Sequence, residues 1–150
     1  MGTRQFVVFT INDEEFGLNI ENISSIEKML DIFKIPNTPD YIEGLANLRG
    51  KVLTVFNLRR RFNLASPEFD ENTKIIIANT SVSEIGIIVD GVNEIIKVED
   101  DEFDPAPQAL SNVRDRFLSG TAKVGDRLVL MLDLEKVLTE EEIKSAKKSK

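Results

Sequence analysis

The 150-residue sequence contains no cysteine, no histidine and no tryptophan, and a single tyrosine. Without cysteine there is no disulfide framework, no thiolate nucleophile and no zinc-finger cluster. Without histidine there is no Ser-His-Asp triad, no imidazole base and no imidazole metal ligand. Any enzyme built on this chain would depend on carboxylates, lysine or hydroxyls. Long hydrophobic runs are also missing: residues 75–78 and 85–89 are far too short to span a bilayer. Residues 1–9 hold one basic residue and no long apolar run, so no signal peptide is expected. The expected protein is soluble and cytoplasmic.

Acidic residues number 26 against 19 basic, for a net charge of -7. Such a chain repels nucleic-acid phosphates unless its basic residues are tightly grouped. What is present is ordinary for a folded domain: 41% hydrophobic and 30% charged residues, in a chain long enough to bury a core without staples.

Short apolar stretches of period two dominate. Residues 5–11, 15–20, 51–56, 73–78, 84–89, 93–98, 117–124 and 127–132 read as strands. The continuous runs in 73–78 and 84–89 imply burial on both faces. Residues 22–29 fit either a helical turn or a strand. Pro39 is placed to open a short helix, and Asn57 to cap another over 58–62. Residues 65–71 and 100–108 read as loops, and 133–144 as a C-terminal helix with Thr139 and Glu142 in a capping-box pattern. Residues 145–150 are expected to be disordered. Many short strands with Gly and Pro turns indicate small β-barrels.

The chain repeats itself. With Gly17 placed over Gly86, Leu18, Ile20, Ile23 and Ile26 fall on Ile87, Val89, Val92 and Ile95. With Gly44 over Gly120, Ala46 meets Ala122, Lys51 meets Arg127, Val55 meets Met131, and Asn57 meets Asp133. We read two similar small barrels packed side by side; the alternative is one barrel with coincidental patterning. Interiors of that size are filled by side chains, which leaves the crevice between barrels and the outer edges as working surfaces.

Several segments invite a functional reading. Gly44 and Gly50 bracket what reads as a loop, with Arg49 presented on it. A planar guanidinium held there can bind a carboxylate or backbone carbonyls, although from spacing alone a solvated arginine, or one paired with a local acid such as Glu43, is the favoured reading. Arg59, Arg60 and Arg61 form the one dense basic cluster, which reads as a solvated helix face or as a phosphate contact. The acids at 99–104 lack the alternating calcium-loop pattern and read as a solvated loop. Ile23 is either core or an anchor for a partner helix. Phosphate-loop, dinucleotide and nucleophile-elbow motifs are absent.

At Asn47-Leu48-Arg49-Gly50-Lys51-Val52-Leu53-Thr54-Val55-Phe56-Asn57-Leu58-Arg59 the sequence resembles the CheW family of bacterial chemotaxis coupling proteins. Ile85-Gly86-Ile87-Ile88-Val89-Asp90-Gly91-Val92, Phe103-Asp104-Pro105-Ala106-Pro107 and Gly125-Asp126-Arg127-Leu128-Val129-Leu130 fit as well, so the likeness runs from about Gln5 to Leu138. Thr54 stands where the family usually has Pro, and Asn57 where it usually has Asp. The resemblance implies an all-β domain spanning 1–150, built of two duplicated SH3-like five-stranded barrels around a shared core, with short helices. It implies a stand-alone, non-enzymatic adaptor, monomeric when free and without cofactor or metal, that links transmembrane chemoreceptors to the histidine kinase CheA. The receptor's hairpin tip is implied to dock between the barrels, with Ile23 and Arg49 lining the groove and Gly44 and Asn47 shaping the loop. The kinase's regulatory domain would meet a barrel edge, with Pro105, Ala106, Pro107 and Ala109 near a second contact. The other readings left open are an acidic small barrel that binds nucleic acid through Arg59–Arg61, a carboxylate-based enzyme, and an array spacer that binds the kinase alone.

Overall fold

A computed structural model describes residues 2–105 and 113–138. Its strands are β1 (Thr3–Ile11), β2 (Glu14–Asn19), β3 (Ile23–Lys28), β4 (Ile32–Phe33), β5 (Ile42–Leu48), β6 (Lys51–Asn57), β7 (Lys74–Asn79), β8 (Glu84–Val89), β9 (Gly91–Glu99), β10 (Phe103–Pro105), β11 (Leu118–Val124) and β12 (Arg127–Leu132). Two single-turn helices, α1 (Leu58–Arg61) and α2 (Leu134–Val137), follow β6 and β12.

The strands form two six-stranded sheets, in the orders β10-β11-β12-β2-β1-β9 and β3-β7-β8-β6-β5-β4. The two orders are the same motif with its leading hairpin exchanged. β1 and β2 complete the sheet of β9–β12, and β7 and β8 complete the sheet of β3–β6. Each SH3-like barrel is therefore built from both halves of the sequence. The exchange is reciprocal down to the register: Phe9 pairs with Val92, and its repeat-mate Ala78 pairs with Ile23. The parallel contacts match too, Met131 opposite Gly17 and Val55 opposite Gly86.

Alternation along the buried strands divides the core in three. Phe6, Val8, Ile96, Val98, Val129 and Met131 fill the first barrel, which carries β1, β2 and β9–β12. Ile75, Ile77, Leu53, Val55, Ala46 and Ile88 fill the second. The opposite faces of the same strands, with Phe9, Phe16, Phe56, Phe62, Ile76, Ile87, Leu130 and Leu132, meet in a larger core between the barrels. This is why 73–78 and 84–89 show no polar alternation: both of their faces are buried.

Several expectations change. Pro39 opens no helix; its carbonyl accepts from the Ile42 N–H, turning the chain straight into β5. Residues 20–22 form one 3-10 turn and 23–28 a strand, which settles the ambiguous segment. Residues 42–48 are strand rather than loop. Their small residues Gly44 and Ala46 are buried, as a narrow barrel interior requires. Residues 100–105 are not loop throughout: a 3-10 turn leads into β10. β4 and β10 raise each sheet to six strands. The later part of the expected 133–144 helix, the Thr139 and Glu142 pair and the 145–150 tail lie outside the described residues.

Candidate functional site

The β5–β6 hairpin carries the residue singled out for partner binding. Leu48 pairs with Lys51, so the turn is Arg49-Gly50 alone. Both residues have positive φ, 51° and 87°, the signature of a tight turn whose twist suits antiparallel strands. Gly50 adopts this freely; an arginine does so only when the turn dictates it. Asn47 locks the turn by accepting the Gly50 N–H at 2.9 Å. Arg49 is thus projected from a rigid tip, its side chain 70% exposed.

Its partner is Glu27 on β3, with Nη2 to Oε2 at 3.2 Å, and not Glu43. Glu43 is taken by the buried Asn57 side chain at 3.0 Å. The Ser25 hydroxyl, and then Arg49, hold the Glu27 carboxyl below its ordinary value. β3 is the edge of its sheet. Ile23 lies on it, partly buried against the central core, and Ile26 is exposed. Ile23 and Glu27, the residue that Arg49 binds, therefore lie on one edge strand about 13 Å apart, but Ile23 pairs with Ala78 of the central core and Glu27 with Ile75 of the barrel interior. Gly44 is not part of this tip. It sits within β5 at φ 150°, where a Cβ would overlap the Phe33 carbonyl oxygen.

A polar chain runs alongside. Ser24 donates to Glu84 at 2.6 Å, Lys51 binds the other Glu84 oxygen at 3.1 Å, and Asn79 donates to Ser24. Ser24 and Lys51 together lower the Glu84 carboxyl.

The arginine cluster is not a solvated face. Arg59 grips Asp90 with two parallel bonds, Nε to Oδ1 at 2.9 Å and Nη2 to Oδ2 at 2.7 Å. Arg61 lies over the Tyr41 and Phe117 rings and donates to the Val137 carbonyl, tying α1 to α2. Two of the three basic residues proposed for phosphate thus hold the fold together. Spacing in sequence could not show this, since Asp90 and Val137 are distant along the chain.

On the other barrel, Pro105 is exposed at the end of β10 and pairs with Gly120. It borders a cleft of about 530 Å³ together with Arg4, Phe103, Ser119 and Glu135. Arg4 stacks over Phe103 at 4.4 Å. Ala106, Pro107 and Ala109 lie outside the described residues. No helix among the described residues is long and apolar enough to cross a membrane.

Comparison with known proteins is consistent with this architecture. A family model described as a CheW-like domain matches residues 5–142. The chemotaxis protein CheW of Klebsiella aerogenes is 34% identical over 93% of this chain and 84% of its own. That of Bacillus subtilis is 34% identical over 95% of this chain and 91% of its own. The crystal structure of the scaffolding protein TtCheW from Thermoanaerobacter tengcongensis superposes with a TM-score of 0.87 at 31% identity, covering 94% of this chain and 96% of that one.

Proposed function

We propose, from the premise that the chain belongs to the CheW-like family, that it is a chemotaxis adaptor which couples transmembrane chemoreceptors to the kinase CheA and is recruited to receptor arrays. It acts by binding rather than catalysis. Holding receptor and kinase on one scaffold raises their effective concentration. Transfer of a signal then requires that its contacts differ between receptor states, because equal affinity for both shifts nothing.

The receptor's helical tip lies along the β3 edge, with Ile23 as apolar anchor and Arg49 fixing register on a carboxylate or carbonyl of the helix. Asn47 serves this contact by holding the turn, and Gly44 by letting β4 approach β5. The Pro105 end, on the other barrel, is left for the kinase. The observation that carries this reading is Arg49 itself, an exposed guanidinium on a rigid two-residue turn. Arg49→Ala should weaken binding of a receptor cytoplasmic tip about tenfold, in the range of an interface arginine, with the fold intact by circular dichroism. Undiminished receptor affinity in the folded variant would refute the assignment.

A further inference from the structure

One stripe of side chains along β3 is left partly uncovered. Ile23, Ile26 and Lys28 pair with Ala78, Ile76 and Lys74, alternate residues of β7, so all six share one face of the sheet. Ala78 and Ile76 belong to the central core, and Ile23 packs partly against it. Ile26 is 41% exposed. The stripe therefore begins as an apolar rim of the core and ends in two lysines directly opposite each other.

That last pair breaks a local rule, because like charges at directly opposed positions of antiparallel strands repel. The duplication shows what the other barrel carries instead. Lys28 falls on Lys97 and Lys74 on Gln5, and Gln5 is the residue opposite Lys97. Lys74 donates to the Glu71 carbonyl oxygen at 2.9 Å, and among the described residues neither ammonium meets a carboxylate. Lys28 is exposed and Lys74 partly buried. In a chain of net charge -7, two adjacent cations without an acid beside them complement a carboxylate brought from outside.

We infer that Lys28 and Lys74 read an acidic residue of the receptor helix that docks along β3. This rests on the reading of β3 as the receptor edge and names the chemistry of the partner there. The stripe sets where the acid stands. Ala78, Ile76 and Lys74 follow one another at about 6.6 Å along β7, and a helix rises about 6 Å in four residues. The docking helix therefore presents apolar residues at i and i+4 to Ile23 and Ile26, and a carboxylate one turn further on, at i+7 or i+8, to the lysines. The apolar contacts supply affinity, and the lysines fix the register. The arriving carboxylate also relieves the repulsion between them.

The test titrates a chemoreceptor cytoplasmic hairpin tip and, separately, the kinase regulatory domain against four variants, with thermal unfolding followed alongside. Lys74→Gln installs the first barrel's residue, Lys28→Gln removes the other charge, and Lys28→Glu with Lys74→Glu reverses both. Lys123→Gln removes an equal charge from an exposed position of β11, in the other barrel. Each of the two single changes on the stripe should leave Tm unchanged or raise it, yet weaken receptor binding about threefold at about 50 mM salt, the loss vanishing near about 0.5 M. The double reversal should weaken it about tenfold or more, and lysine in place of the matching acid of the hairpin should restore it. Lys123→Gln, and kinase affinity in every variant, should stay within about twofold. Unchanged receptor affinity in the folded stripe variants overturns this inference alone. So does an equal loss in Lys123→Gln, which would mark an effect of net charge. If the tip does not bind the unaltered protein, the inference falls together with the receptor reading.

Discussion

The two barrels are one design executed twice, and their differences are more informative than their likeness. What is repeated is structural. Asn57 and Asp133 cap α1 and α2 through their side chains, and each backbone N–H reaches a carbonyl at matching positions, Tyr41 and Phe117. Gly44 and Gly120 each lie where a Cβ would overlap a carbonyl oxygen of the short neighbouring strand, Phe33 in one case and Asp104 in the other. Lys51 pairs with Glu84, and in the other barrel Arg127 pairs with Glu15, the aligned residues. The Arg49–Glu27 pair has no such twin.

The glycine pair offers the strongest way to break the comparison. Gly44→Ala and Gly120→Ala should each cost about 3 kcal/mol, since backbone must move to admit the methyl group. Urea unfolding would show it. Similar losses in both would support a common architectural role, and a loss in only one would end the equivalence.

The caps come next. Asp133→Ala should cost about 1 kcal/mol, the ordinary value for a helix cap. Asn57→Ala should cost about 2 kcal/mol, because Asn57 is buried and its amide also binds Glu43 and Ser66. Denaturant midpoints of the two variants give the difference directly.

The smallest effect concerns the repeated ion pairs. Arg127 binds Glu15 through two bonds and Glu94 through a third. It is the main cause that holds the Glu15 carboxyl below its ordinary value of 4.5. A depressed carboxyl contributes stability above its unfolded pKa, and that contribution is lost as pH falls through the folded value. Arg127→Ala should therefore unfold at a lower temperature than the parent at pH 7, and the gap should close as the solution is acidified below pH 4.5. Lys51→Ala should show the same sign with a smaller gap, because Ser24, the larger influence on Glu84, remains.

Much of this was legible in the sequence because the repeat writes each structural device twice. Matched glycines and matched cap positions gave the register later found in the strand pairing. The hairpin exchange was not legible: whether β1 and β2 pair with β3 or with β9 depends on contacts between distant residues that carry the same apolar signal in both halves. The β5 strand was hidden by its two small inward residues, Gly44 and Ala46, which read as loop. β4 and β10 are too short to leave a period. Glu27 was missed although a signal existed, since extending the aligned stretch one residue past Ile26 and Ile95 sets it over Ile96.

The most direct test is a titration of this protein with a chemoreceptor cytoplasmic tip and the CheA regulatory domain, separately and together. If the β3 edge and the Pro105 end serve different partners, a ternary complex should form in which each partner binds about as tightly as it does alone. Mutual exclusion, or binding of the kinase domain with no binding of the receptor tip, would contradict the coupling role.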